Sequence, residues 1–333
     1  MVRRTAFRAA SALPLLVRAT GIAIGLLLAG AAEAQVVTTL AVANGQFGGP
    51  AQLALDADRN LFVADSANNA IKEVFAPDYV VVNTLAVANG NFSGPFGVAI
   101  DRFGNLFVAD SFNSQVKELL APDYVTVNIL AVANGNFIFP ASVAVDSQGN
   151  VFVADLSGND VKEILAPDYV TVNTLAQANG NFLFPQGVAV DQAGNVFVAD
   201  TINSAVKEIL APDYVTVNTL AQTNGNFDAP LAVAVDAAEN VYVADSEHAA
   251  VKEIFAAGGY VNVVTLAPTT GNFSQPDGIA VDGLGNVFVA DDVTDLVKEI
   301  SAPEPVPAAT RWTLLLLGLL MAGAGAWMSR RIV

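Results

Sequence analysis

The chain has 333 residues, of which 53% are hydrophobic and only 14% charged, with no cysteine and a formal net charge of −17. The lack of cysteine excludes disulfides, thiolate metal sites and cysteine nucleophiles. The acid excess argues against a nucleic-acid partner, because phosphate binding needs a basic surface. The length suits two domains or one large all-β domain.

Residues 1–34 carry the marks of a secretory signal peptide. Arg3, Arg4, Arg8 and Arg18 make a basic start, and residues 22–31 make an apolar stretch. Ala32-Glu33-Ala34 is a small-x-small cleavage site, so the exported chain is expected to begin at Gln35. An uncleaved anchor is the competing reading, but the apolar stretch is short for a bilayer. Arg3-Arg4 is a twin-arginine pair with Phe7 one place too far, which leaves Sec and Tat export both open.

Residues 35–302 are a repeat. Val-Ala-Asp recurs with its aspartate at Asp65, Asp110, Asp155, Asp200, Asp245 and Asp291, in steps of 45, 45, 45, 45 and 46. This period fits helix-pair solenoids and four-stranded propeller blades. The local pattern selects the blades. One unit reads Gly97-Val98-Ala99-Ile100, Leu106-Phe107-Val108-Ala109, Val116-Lys117-Glu118-Leu119 and Val125-Thr126-Val127-Asn128. Each run is short and rich in β-branched and aromatic residues. Turn residues bound each run, such as Gly104-Asn105, Pro122-Asp123 and Asn134-Gly135. The small first strand suits the centre of a ring, where the blades converge. The aromatic of the second strand (Phe62, Phe107, Phe152, Phe197, Tyr242, Phe288) is expected to fill the seam between blades.

The sixth unit stops after Val297-Lys298-Glu299-Ile300 and lacks an outer strand. Val36-Val37-Thr38-Thr39-Leu40 resembles the outer strands of the other units and is predicted to supply it. The expected fold is therefore all-β: a six-bladed β-propeller of four-stranded antiparallel blades, closed by the N-terminal strand. Closure leaves few sheet edges to aggregate.

Residues 303–333 form a second targeting unit. Pro303-Glu304-Pro305 precedes an uncharged run at 312–328, of transmembrane length at its lower limit, and Arg330 and Arg331 close it. Basic residues at that end predict a cytoplasmic C-terminus with the ring outside. This layout resembles the PEP-CTERM and IPTL-CTERM sorting signals of Gram-negative bacteria. The resemblance implies a membrane sorting enzyme that removes the helix and passes the protein to the cell surface or matrix. A permanent anchor is the alternative. Either way the ring is expected to be exported.

Pro185-Gln186-Gly187-Val188-Ala189-Val190-Asp191, Gly194-Asn195-Val196-Phe197-Val198-Ala199-Asp200 and Asn203-Ser204-Ala205-Val206-Lys207-Glu208-Ile209 resemble bacterial NHL repeats, as do their counterparts in the other units. The resemblance covers roughly residues 36–301. It implies a six-bladed propeller that serves mostly as a rigid binding platform, with a few enzymes among its relatives. The family's arginine before the third strand is replaced here by Ala70, Gln115, Asp160, Ala205, Ala250 and Leu296, which weakens any inference of arginine-mediated contacts.

The residues offer little catalytic chemistry. Lyase propellers of similar build use histidines, often with a metal, whereas His248 stands alone here and is read as an exposed loop residue. No metal or cofactor site is assigned, and calcium on the aspartate columns is the weaker reading. The columns at Asp56 and Asp65 recur in every unit, so each aspartate is expected to bond backbone amides of its own turn. The repeated lysine of Lys-Glu is expected to pair across strands or stay in solvent. The Asn-Gly-Asn-Phe loops and the loops after Val-Ala-Asp should ring one face. Loops that vary on a rigid scaffold are where recognition sits, which nominates Phe112, Asn113, Asn159, Asn203 and His248. Phe139 and Phe184 have two competing readings, as part of that face or as plugs in the interblade gap.

The expected function is thus a non-catalytic binding or scaffold module of the envelope or matrix, holding a protein, peptide or exopolysaccharide. A propeller lyase or lactonase with a carboxylate site at the channel mouth is the alternative. Seven of the 15 basic residues but only Glu33 and Glu304 among the 32 acids lie outside 35–302, leaving the ring 30 acids against eight bases.

Overall fold

The computed structural model describes residues 35–41, 47–86, 90–267 and 271–302. The proposed cleavage residues Ala32 and Ala34, the sorting residues Pro303, Glu304, Pro305, Arg330 and Arg331, and the run 312–328 lie outside these residues. Among the described residues no helix is long and apolar enough to cross a membrane.

The described residues form six sheets, each of four antiparallel strands. The first blade shows the plan. Its inner strand is Pro50–Leu55, followed outward by Leu61–Asp65, Ala70–Val74 and Val82–Leu85. Tight turns at 56–60 close the hairpin, where Asp56 accepts the backbone N–H and side-chain amide of Asn60 at 2.7 and 2.8 Å. The Asp56 column therefore does bond its own turn.

The sixth blade is completed from the other end of the chain. Val37–Leu40 lies antiparallel on Leu296–Ile300, with Val37 opposite Ile300 and Leu40 opposite Val297. Ser301 N–H donates to the Val36 carbonyl at 2.9 Å. Ala302 N–H donates to Asn286 Oδ1 at 2.8 Å, in the inner turn of the same blade. Both ends of the ring are thus fixed beside the inner turns, a side called here the turn face. The opposite side, built from the loops before each inner strand and after each second strand, is the loop face.

The second strand is buried along its whole length in every blade. Its aromatic fills the seam as expected, and a tyrosine from the next blade completes the packing. Phe62–Tyr124, Phe107–Tyr169, Phe152–Tyr214, Phe197–Tyr260 and Phe288–Tyr79 meet edge to face, with ring centroids 5.6–6.0 Å apart. Such pairs each add about 0.5–1.5 kcal/mol to the burial of the rings. Tyr242 has no tyrosine of a following blade against it among these ring pairs. Its own hydroxyl reaches Asp236 and Glu253 instead, at 3.2 and 3.4 Å.

The inner strands converge tightly. A β-carbon on Gly278 would lie 1.8 Å from the Ala51 carbonyl oxygen, so the sixth and first blades can meet only through glycine. Gly97, Gly187 and Gly278 on the even blades alternate with Gln52, Ser142 and Ala232 on the odd ones. Where the odd residue is polar it bonds the neighbouring blade: Gln52 Oε1 accepts from Val98 N–H at 3.2 Å, and Ser142 Oγ from Val188 N–H at 3.1 Å.

Candidate binding face

Each inner strand opens on a proline, which has no N–H to give its neighbour. The pairing register slips there in every blade, as between Pro140 and Ser142 opposite Asp155 and Ala154. A bulge of this kind re-aims one side chain out of the ladder. The re-aimed residue follows the proline: Ala51, Phe96, Ala141, Gln186, Leu231 and Asp277. All six line the mouth of the central channel. This column is where the repeat breaks.

The mouth is nearly closed. Gln52 spans from the first blade to the third, donating to the Val143 carbonyl and accepting its N–H, both at 3.3 Å. Gln186 Nε2 donates across to Asp277 Oδ1 at 3.4 Å. The remaining space is about 10 Å³, roughly one water. Asp277 keeps slight exposure to the channel although protein surrounds its carboxyl on every side. Burial, then the negative charge of Asp292, pushes its pKa up to about 7, against a small opposing effect of the Gln186 amide. Burial also raises the Asp292 carboxyl, helped by Asp295 and Asp291.

The repeated carboxylates are occupied. Asp65 accepts the Gly48 N–H at 2.6 Å, and Lys72 Nζ lies 2.6 Å from its second oxygen. The same lysine–aspartate pair recurs at Asp110, Asp155, Asp200, Asp245 and Asp291, at 2.5–2.6 Å. The amide bonded belongs to the loop before the inner strand, as with Ser93 on Asp110 and Leu183 on Asp200, so the expectation of a bond within the aspartate's own turn is corrected for this column. A buried carboxylate gains more from a distant N–H and an ammonium than its own short turn can supply. The lysines resolve to the cross-strand pairing. The phenylalanine of each Asn-Gly-Asn-Phe loop covers the lysine, as Phe137 does Lys162 at 5.2 Å, which makes the motif a lid on a buried charge.

The nominated residues divide into two groups. Asn113, Asn203 and His248 hold equivalent positions, and each reaches the buried aspartate three residues before it, at 2.8–2.9 Å. Asn159 Oδ1 accepts the Phe184 N–H of the next blade at 2.8 Å. These side chains tie the loops down. Phe112, Phe139 and Phe96 instead pack edge to face in one trio, with centroids 5.5–6.1 Å apart. Phe112 is 64% exposed and Phe184 43%. Phe184 is thus exposed on the loop face, whereas Phe139 is half-buried and packs across the junction of the second and third blades. Phe96, Gln186 and Asp277 were not nominated from the sequence, yet they occupy the variable place in Pro-x-Gly, the one column that could have marked them.

Among the described residues no group of three histidine or acidic side chains is placed to hold a metal ion. An open hollow of about 610 Å³ lies at the rim between the third and fourth blades, lined by Glu163, Asn173 and Tyr214. Its residues belong to repeated columns, and Asn173 already bonds Glu163 at 3.1 Å.

These features define a closed six-bladed β-propeller. Its fourth blade carries the NHL repeat: residues 182–208 match that family's model. No curated protein matches the sequence. Among solved structures, a streptogramin B lyase is similar with a TM-score of 0.60 at 10% identity, covering 82% of this chain and 99% of that one. A gluconolactonase from Xanthomonas campestris is similar with a TM-score of 0.66 at 15% identity, covering 83% and 93%. A catalytically inactive virginiamycin B lyase from Staphylococcus aureus, with quinupristin, gives 0.59 at 11%, covering 80% and 99%. At these identities the likeness is one of fold.

Proposed function

We propose that the chain is an exported, non-catalytic binding propeller of the bacterial envelope or extracellular matrix, which holds a protein, peptide or polysaccharide on its loop face. The observation that carries this is the channel mouth, where the space of about 10 Å³ leaves no room for a substrate beside Asp277. The acids repeated around the ring are committed to lysines and backbone amides, while aromatic side chains stand exposed. Export is supported by the signal-like residues 1–34, and sorting or anchoring by the Pro303-Glu304-Pro305 motif and the run 312–328.

A second reading, a propeller lyase or lactonase, draws on Asp277. A carboxyl with pKa near 7 at a channel mouth suits general acid–base work. Capture from envelope and matrix material, run beside a glycan array and a lactone hydrolysis assay with and without calcium, separates the two. Ligand capture without turnover is the expected result. Turnover abolished by Asp277→Asn would establish the enzyme.

A further inference from the structure

The loop face is not uniform around the ring. Its second, third and fourth blades expose apolar side chains, Phe112, Ile138, Leu183, Phe184 and Ile202, with Phe139 half-buried among them. Its fifth and sixth blades place Asp228, Glu247, Asp292 and Asp295 on the equivalent loops. Asp277 sits between the two halves, at the channel mouth.

The cations lie elsewhere. The ring has eight bases, six lysines and two arginines. All six lysines are buried against their aspartates. Arg59 and Arg102 belong to turns of the opposite face, where Arg59 bonds Asp282 and Arg102 bonds the Ser147 carbonyl. The described loop face therefore pairs an apolar crescent with a mainly acidic one, which also carries Val293 and His248, and presents no exposed lysine or arginine to neutralise it. Both ends of the described ring are fixed on the turn face.

We infer that this face binds a peptide segment in which arginine or lysine stands next to aromatic or branched apolar residues. The apolar side chains would lie over the Phe96–Phe112–Phe139 trio, and the cation would reach the acids of the sixth blade. The aromatic anchor supplies most of the affinity in such contacts, and the charge supplies orientation and selectivity. The inference rests on the binding reading and narrows its ligand to one class.

The test uses the full-length chain and a hexapeptide alternating arginine and tryptophan. A glutamate–tryptophan analogue, an arginine–serine analogue and a neutral glycan are run beside it. The arginine–tryptophan peptide should bind at least about tenfold tighter than either analogue and weaken as salt rises. The double variant Phe112→Ser, Phe184→Ser should lose this binding, and Phe103→Ser on the turn face should keep it. Asp292→Asn, which removes no packed ring, should weaken the arginine peptide and leave the glutamate analogue unchanged or improved. Thermal melts confirm that each variant is folded. Equal binding of the glutamate analogue, or no effect of the double variant, overturns the inference. If the glycan or the acidic peptide binds in a Phe112-dependent way, the ligand class falls and the binding reading stands. If no probe depends on Phe112, both fall.

Discussion

Arg59 on the first blade and Asp282 on the last are joined by an ion pair of 2.8 Å across the point where the ring closes. Asp282 also accepts from Asn286, and Arg59 lies 3.6 Å from Glu299 on the third strand of the same blade. On the other face Gly49 N–H donates to Asp295 Oδ1 at 2.8 Å, again between first and last blades. The closing strand is therefore one of several fastenings, with the Phe288–Tyr79 ring pair among them.

Removal of residues 35–40 should strip the sixth blade of its outer strand and lower the melting temperature in one cooperative transition. A melt unchanged by this deletion would show that the side-chain fastenings suffice. Arg59 has φ +68° where four other blades place glycine. Arg59→Ala keeps that strain and loses the ion pair, so it should be less stable than Arg59→Gly by about 1 kcal/mol in urea unfolding.

Lys162→Met should be far more damaging. It leaves Asp155 buried without its cation, which costs about 3–5 kcal/mol when one partner of a buried pair is removed. Chemical denaturation against the parent chain reads this directly. A change below about 1 kcal/mol would place the ion pair in the class of weak surface contacts.

Asp277 gives the ring a pH dependence of its own. Its folded pKa is about 7, against an unfolded value of about 3.9. Between those limits the folded chain holds the extra proton, so the contribution of Asp277 to stability falls as pH rises from about 4 to 7. Above pH 7 the cost of the buried charge is complete. Asp277→Asn should therefore stabilise the protein at pH 8, by a few kcal/mol at most, and matter little at pH 4. Equal effects at both pH values would contradict the assignment.

Phenylalanines of the seam and of the face should separate cleanly. Phe152→Ala removes a fully buried ring packed on Tyr214, and should cost about 3–5 kcal/mol. Phe112→Ala removes a ring that is mostly exposed, and should cost about 1 kcal/mol or less. Paired thermal melts decide it.

The blades were legible because their determinants are local and repeated. Val-Phe-Val-Ala-Asp is the short continuous apolar run of a fully buried strand, and a missing outer strand in the sixth unit demanded a donor, which Val37–Leu40 proved to be. The fate of Lys162 was not legible, because an ammonium seven residues from its aspartate meets it only when two strands pair. The channel mouth was hidden for a related reason. Regular alternation assigns the residue after proline to a strand face, and only the slipped register turns Phe96 and Asp277 into the channel. The loop residues do share one side of the ring, but sequence did not show that Asn113 and His248 spend their polar atoms on buried aspartates.

The alternation of Gly97, Gly187 and Gly278 with Gln52, Ser142 and Ala232 gives the ring a parity. Six near-copies look interchangeable by sequence, yet at the axis the working unit is a pair of blades. Moving a blade by two places keeps glycine where a neighbour's backbone crowds in, whereas moving it by one sets a side chain there. Any redesign that shuffles, deletes or adds blades must therefore proceed in twos.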